Sequence, residues 1–435
     1  MIHSFALTSQ SGQKHLAEIL NRFQPADSSC RKNVAEIIDH VRSRGDTALV
    51  EYTRRFDDSD FDVAQLRVTE SEIDNAYGQV DNDFRTTLAL ASERIETFHQ
   101  RELEDSWFIT RDDGTICGRL VRPVDAAGLY VPGGQGGSTP LVSSVLMNGI
   151  PARIAGVEKR IMVTPPGPGG RVHPALLVAA REIGIKQVFR VGSAWAVAAL
   201  AFGTETIPAV DVIVGPGNQY VTEAKSQVSG RVRIDMIAGP SEVLIIADHT
   251  ANPAHIAADM LAQAEHDPQA LAMVIVTQEQ LAQSITSQLE KQLPDLSREQ
   301  IARQALLARG VIFTASDLEA AIKAANGIGP EHLELMIEDP WLWLPKIRHA
   351  GAIFLGANTP EAAGDYLAGP NHVLPTMGTA RVSSALGVET FVKKSSIISY
   401  SRRALLADSE HIERLARLEG LTAHARSVTI RTRGG

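Results

Sequence analysis

The chain has 435 residues, of which 44% are hydrophobic, 21% charged and 5% aromatic, with a formal net charge of −9. That is ordinary globular composition, which excludes disorder, and the lack of a basic or stacking surface argues against nucleic acid and for small polar partners. The length exceeds what one hydrophobic core holds, so at least two domains are expected.

Cys30 and Cys117 stand far apart and in no CxxC spacing, so any metal must use His, carboxylate or amide ligands. The N-terminus has no basic stretch followed by an apolar one, and no apolar run reaches the roughly 18 residues of a membrane span. The expectation is therefore a cytoplasmic protein with no membrane partner.

Residues 1 to about 115 are expected to be helical and charged, with Val34, Ile37, Ile38 and Val41 forming one apolar stripe and Leu88, Ala91, Ile95 and Phe98 another. From Ala127 the texture changes to short apolar runs that alternate with helical stretches. Gly128-Leu-Tyr-Val131, Arg160-Ile-Met-Val-Thr164, Gln187-Val-Phe-Arg-Val191 and Asp211-Val-Ile-Val214 read as strands of βαβ units. Such alternation predicts a parallel, doubly wound sheet whose ligands lie beyond the carboxyl ends of its strands. Glycines follow these strands, in Val131-Pro-Gly-Gly-Gln-Gly-Gly137, at Gly192 and in Gly215-Pro-Gly-Asn218. They suit close approach of an anion such as a pyrophosphate, although none is GxGxxG and a tight turn is the plainer reading.

A second set of strands is expected at Glu242-Val-Leu-Ile-Ile-Ala247, Leu271-Ala-Met-Val-Ile-Val276, Val311-Ile-Phe-Thr314 and Ala352-Ile-Phe-Leu355. Helices containing residues 253 to 266, 279 to 292 and 316 to 326 separate them. The fold class is thus α/β: two incomplete Rossmann-like doubly wound modules facing a cleft, with small helical N-terminal and C-terminal appendages. The tail after about residue 385 ends in Leu421-Thr-Ala-His424 and an expected strand, Val428-Thr-Ile-Arg431, and is too small to bury a core of its own.

The helix opened by Asn252 and Pro253 and stopped by Asp267-Pro268 places Gln263 and His266 three residues apart on one face, as two potential metal ligands. A bland polar pair is the plainer reading of that spacing alone. Glu331-His332 sits at a loop boundary, where adjacent acid and base side chains suit general acid-base work, against the alternative of a helix-start Glu beside a structural His. Glu361 and Asp365 precede Asn371-His372 in a Gly/Pro-rich loop. Glu419 and His424 lie near the chain end, where a lone His is most often merely exposed.

These pieces in this order resemble the histidinol dehydrogenase family. The resemblance spans nearly the whole chain. It is carried by Arg44-Gly-Asp46, Tyr130-Val-Pro-Gly-Gly134, Leu200-Ala-Phe-Gly-Thr-Glu205, Gly215-Pro-Gly-Asn218 and Ile237-Ala-Gly-Pro-Ser-Glu242, then by Gln263-Ala-Glu-His266, Gly329-Pro-Glu-His332, Gly364-Asp-Tyr366, Asn371-His-Val-Leu-Pro375 and Leu421-Thr-Ala-His424. It implies one Zn²⁺ per subunit held by Gln263, His266, Asp365 and His424, with Glu331 and His332 as the catalytic acid-base pair. It further implies NAD near Tyr130, Trp195 and Asn218, and substrate contacts from Ser241, Gln263, His266, His332, Asp365, His372, Glu419 and His424. The implied domains are an N-terminal helical segment 1–27, a Rossmann-like domain of 28–129 with 241–385 that carries most zinc and catalytic residues, an NAD-binding domain 130–240, and a tail 386–435 that reaches the partner subunit of a homodimer.

The activity so implied is oxidation of an amino alcohol, L-histidinol, to L-histidine through a bound aldehyde, by two hydride transfers to NAD⁺. His332 takes the alcohol proton, Glu331 activates the water, and zinc chiefly positions the substrate. Two places depart from the family pattern. Trp195 stands where a glutamine is usual, and the loop Gly133-Gly-Gln-Gly-Gly-Ser-Thr-Pro140 is longer and richer in glycine. Both touch the cofactor rather than the metal, and they leave open a paralogue acting on another small alcohol such as a sulfonated propanediol. A non-catalytic, zinc-stabilised binding protein also fits the composition but leaves Glu331-His332 without a task.

Overall fold

The computed structural model describes residues 2–23, 27–133 and 139–433. These form two compact units, the first holding residues up to Glu102 with Asp125–Phe391, the second Leu103–Val124 with the residues from Val392 onward. Among the described residues no helix is long and apolar enough to cross a membrane.

The first unit opens with β1 (His3–Ala6) and α1 (Gln10–Leu20), whose start is capped by Ser9 Oγ accepting the Gly12 N–H at 3.0 Å. Then come α2 (Ser28–Phe56), α3 (Glu70–Ala76) and α4 (Asn82–His99). Helix α2 is broken at Gly45, which adopts φ +52° and ψ −132°. A Cβ there would lie 2.1 Å from Glu205 Oε2, and that oxygen accepts the Asp46 N–H at 2.8 Å. Asp46 in turn accepts from the Thr206 hydroxyl. Two motifs that read as separate in the sequence are thus the halves of one contact, and only glycine fits it.

Strands β2 (Trp107–Thr110) and β3 (Ile116–Pro123) belong to the second unit. The first unit resumes with β4 (Ala126–Tyr130), α5 (Val142–Ile154), β5 (Lys159–Thr164), α6 (Pro174–Glu182), β6 (Gln187–Arg190), α7 (Ser193–Phe202), β7 (Val212–Val214), α8 (Gln219–Val228) and β8 (Arg233–Ile234). Its five strands are all parallel, in the order β6-β5-β4-β7-β8, so the winding reverses between β4 and β7. Next come β9 (Glu242–Ala247), α9 (Pro253–Ala264), β10 (Leu271–Val276), α10 (Glu279–Gln292), α11 (Glu299–Arg309), β11 (Val311–Thr314), α12 (Leu318–Ile328), β12 (His332–Met336), α13 (Pro340–Trp343), β13 (Ala352–Leu355) and α14 (Glu361–Tyr366). They build a six-stranded parallel sheet ordered β1-β11-β10-β9-β12-β13, wound the same way. Strands β9 and β10 are buried at every residue, as a parallel sheet covered on both faces requires.

In the second unit β14 (Val392–Ser399) pairs antiparallel with β3, and β3 with β2. Helices α15 (Arg402–Leu418) and α16 (Thr422–Arg433) pack on each other. Trp107, Phe108, Ile398, Leu415, Leu418 and Ile430 are all exposed, an apolar surface unusual for so small a unit.

The structure differs from the sequence expectation in four places. The segment 1–27 is not only helical, because His3–Ala6 adds an edge strand to the six-stranded sheet in register with Val311–Thr314. Within 28–129, α2 does not join the 241–385 sheet, because its stripe Val34, Ile37, Ile38 and Val41 shares a core with Ile161, Phe189 and Val197 of the five-stranded module. Residues 103–124, expected within the 28–129 segment of the larger domain, instead form the β2-β3 hairpin that pairs with the tail strand β14. Finally Val428-Thr-Ile-Arg431 is helical, because Ala425 and Val428 bury one face of α16 and the Thr429 and Thr432 hydroxyls bond back to helix carbonyls. Packing and local hydrogen bonds outweigh β-branched preference there.

Gly45→Ala is expected to cost about 1–3 kcal/mol, since it combines a backbone conformation reserved for glycine with a clash on Glu205. Urea unfolding of the variant checks this; unchanged stability would mean that the bend relaxes without penalty.

Candidate functional site

Parallel strands are joined by helices that run back along the sheet, so a helix that leaves the carboxyl edge ends at the amino edge. Helix α9 accordingly brings Gln263 and His266 to the amino edge of the six-stranded sheet, and α14 places Glu361 and Asp365 one turn apart there. Ser241 precedes β9, Glu331 precedes β12, and His332 is the first residue of β12. One metal-binding oxygen or nitrogen from each of His266, Glu361 and Asp365 falls within 4.8 Å of the others. His332 Nδ1 lies 3.8 Å from Glu331 Oε2 and 3.8 Å from Glu361 Oε1, and His372 Nδ1 lies 3.8 Å from Asp365 Oδ1. These side chains therefore gather at the amino edge of this sheet, opposite to its carboxyl ends.

The backbone of Glu242 holds both Glu331 and His332 through the two peptide groups that flank its Cα. Its N–H donates to Glu331 Oε2 at 2.7 Å, and its carbonyl lies 3.0 Å from His332 Nδ1. A carbonyl only accepts, so Nδ1 carries the proton and Nε2 presents its lone pair. Nε2 is buried and has no protein partner. Burial pushes the His332 ring down to about 4, against the opposing charge of Asp365, so at neutral pH it is an uncharged base. Burial pushes the Glu331 and Glu361 carboxyls well up, with Asp365 adding to the rise at each. The His372 Nδ1–H likewise donates to the Asp365 carbonyl at 3.1 Å.

Several carboxyls crowded in a buried site favour a cation, as do the ends of α9 and α14, where helix carbonyls leave partial negative charge. The decisive fit is Gln263. Its side chain is fully buried, yet both Oε1 and Nε2 lack a partner, a costly arrangement unless something binds there. An amide oxygen, an imidazole and carboxylates make a donor set suited to Zn²⁺. Glu361 was visible in the sequence only as one carboxylate of a polar loop. The signal that marks it is its i, i+4 spacing to Asp365, together with burial that only the fold reveals.

At the reversal of the five-stranded sheet, Tyr130 ends β4 and Asn218 caps α8 just beyond β7. Gly215, at φ +112°, packs against the Tyr130 carbonyl, where a Cβ would lie 2.1 Å from the oxygen. The loop is braced from behind by Lys225, which donates to the Gly215 carbonyl at 3.0 Å and pairs with Asp235, while Asp235 accepts the Gly215 N–H at 2.8 Å. This crevice fits a dinucleotide, with Tyr130 and Asn218 flanking it. Trp195 is 4% exposed and stacks on Tyr52 and Phe56 at ring distances of 5.6 and 5.7 Å. Its stacking partners are thus protein rings, which favours the space-filling role over stacking on a cofactor. Of the long glycine loop 133–140, residues 134–138 lie outside the described residues. Glu419, at the end of α15, and the exposed His424 of α16 belong to the second unit.

A sequence profile described as histidinol dehydrogenase matches residues 20–432. The chain is 65% identical to the histidinol dehydrogenase of Desulfotalea psychrophila over 433 residues, covering 100% of both chains. It is 53% identical to that of Nitratidesulfovibrio vulgaris, covering 95% of this chain and 94% of the relative. The crystal structure of histidinol dehydrogenase from Elizabethkingia anophelis superposes with a TM-score of 0.92 at 39% identity, covering 99% of this chain and 98% of that one.

Two outcomes are expected. His332 is held below its unfolded value of 6.5, at about 4, so between those values the unfolded chain binds a proton that the folded one refuses, and stability falls with falling pH. In metal-free protein, going from pH 7.5 to 5 should cost the wild type about 2 kcal/mol more than His332→Asn in urea unfolding; equal losses would contradict the buried neutral ring. Trp195→Gln should lower stability by about 3 kcal/mol while leaving dinucleotide affinity unchanged. A change in NAD⁺ affinity by titration calorimetry would place Trp195 at the cofactor instead.

Proposed function

Since the chain belongs to the histidinol dehydrogenase family, we propose that it oxidises L-histidinol to L-histidine through L-histidinaldehyde, with Zn²⁺ and NAD as cofactors. It is an oxidoreductase acting on a CH–OH group in histidine biosynthesis. Relatives at 65% and 53% identity carry the same name, which favours L-histidinol over a sulfonated alcohol.

The observation that carries the reading is the His332 ring, protonated on Nδ1 and open on Nε2, beside a buried Glu331. Nε2 accepts the alcohol proton as the carbinol carbon loses hydride, and burial has left the ring neutral and able to do so. Glu331, when ionised, is a stronger base for its raised affinity for protons, and it takes the proton of the water that adds to the aldehyde. His332 returns its proton to the aldehyde oxygen as the water adds, which frees Nε2 to accept again as the hydrate is oxidised to the carboxylate. NAD, when bound at Tyr130 and Asn218, supplies the hydride acceptor for each oxidation. Zinc, when bound by Gln263, His266 and Asp365, supplies a fixed charge that orients the imidazole and amino nitrogens of the substrate. Ser241 and His372 line the same edge and complete the grip.

Glu419 and His424 would reach the site of the other subunit in a homodimer. Support for the dimer comes from the exposed apolar surface of the second unit, which carries both residues. Residence in the cytoplasm follows from the need for an NAD pool.

Purified protein with Zn²⁺, NAD⁺ and L-histidinol should form about two NADH per histidinol consumed. Glu331→Gln should lower kcat by roughly 10²–10⁴-fold, and chelation should abolish turnover until zinc is restored. Turnover of a different alcohol alone would contradict the substrate, and full activity after chelation would contradict the metal.

A further inference from the structure

Glu242 and Arg22 touch neither substrate nor cofactor in the reading above, yet they stand directly behind the acid-base pair. Glu242 opens β9, and its backbone grips both Glu331 and His332. The β10 ladder holds this backbone on one side, with Leu271 paired to Glu242 and its N–H donating to the Ser241 carbonyl at 3.0 Å, and the Glu242 side chain anchors it further. That side chain is locked. Arg22 Nε donates to Glu242 Oε1 at 2.5 Å and Nη2 to Oε2 at 2.6 Å, a two-pronged pair whose side chains are 4% and 1% exposed. The remaining nitrogen, Nη1, donates to the Ile19 carbonyl at 2.9 Å and the Ile328 carbonyl at 3.1 Å, at the ends of α1 and α12. Ile328 lies three residues before Glu331, so one guanidinium ties down the leading ends of both strands that carry the chemistry.

We propose that the Arg22–Glu242 ion pair is the positioning device of the active site, fixing the backbone at Glu242 so that Glu331 keeps its orientation and His332 its Nδ1–H tautomer. The proposal rests on the acid-base roles given above. A buried ion pair is often no better for stability than apolar residues of like volume, so its value here lies in geometry. Arg22 and Glu242 are 220 positions apart in the chain.

The test is the double variant Arg22→Met/Glu242→Leu, which removes both charges together and leaves neither unpaired. With folding verified by thermal melting, kcat for L-histidinol should fall on the order of 100-fold with KM nearly unchanged, as expected for displaced catalytic groups. In nitrogen-15 spectra of histidine-labelled protein, His332, identified by its absence from His332→Asn, should be the Nδ1–H tautomer in the wild type and a mixture in the double variant. Glu242→Gln, which keeps the shape and an acceptor for Arg22, should move both readouts in the same direction to a lesser degree, and it serves if the double variant does not fold. A folded variant with wild-type kcat and an unchanged tautomer overturns the proposal. If the wild type itself does not oxidise histidinol, the functional reading fails, and the tautomer still decides on the ion pair.

Discussion

The backbone of Glu242 donates its N–H to Glu331 and accepts at its carbonyl from His332, and because a carbonyl cannot donate, the second contact dictates which nitrogen of His332 is free. The chemistry follows from that. A neutral imidazole with a buried, unpartnered Nε2 is a base waiting for a proton, and burial deep enough to keep it neutral also raises the carboxyls around it. The crowded carboxyls prepare the site for positive charge, and the low-dielectric surroundings make their polar groups costly without a partner.

The placement of that site is a matter of helix direction. A doubly wound sheet customarily binds its ligand beyond the carboxyl ends at the reversal of winding, and the five-stranded sheet offers that crevice between β4 and β7. The six-stranded sheet has the same winding, but its chemistry lies at the opposite edge, where α9 and α14 return. Its own carboxyl-end crevice is lined instead by Asp248, Glu338, Asp339 and Trp343. Two modules with one topology thus present different edges, one with the crevice at the reversal of winding and the other with the buried cluster around His332.

Much of this was legible in the residues. Apolar runs such as Leu271–Val276 can only be buried strands, and Gln263 with His266 share a helix end by spacing alone. The motifs around Gly45 and Glu205 were visible as motifs, but their meaning, a carboxylate seated where a side chain would be, needs both in space. Glu361 was visible only as a carboxylate spaced one turn from Asp365, its burial being a matter of the fold, and nothing local marks Arg22, which pairs across 220 positions. At Trp195 the departure from family pattern left open stacking on a cofactor or filling space, and in the fold the ring packs against Tyr52 and Phe56 of α2. The C-terminal Val428-Thr-Ile-Arg431 was read by propensity, which gives way when the partner surface is another helix.

The central claim is that the amino edge of the six-stranded sheet is the metal and reaction centre. A crystal of the zinc-loaded protein, with diffraction collected on either side of the zinc absorption edge, locates the ion without assumption. An anomalous peak bounded by Gln263, His266 and Asp365 is expected. A peak at the carboxyl-end crevice beside Asp248 and Glu338, with none at the amino edge, would contradict it.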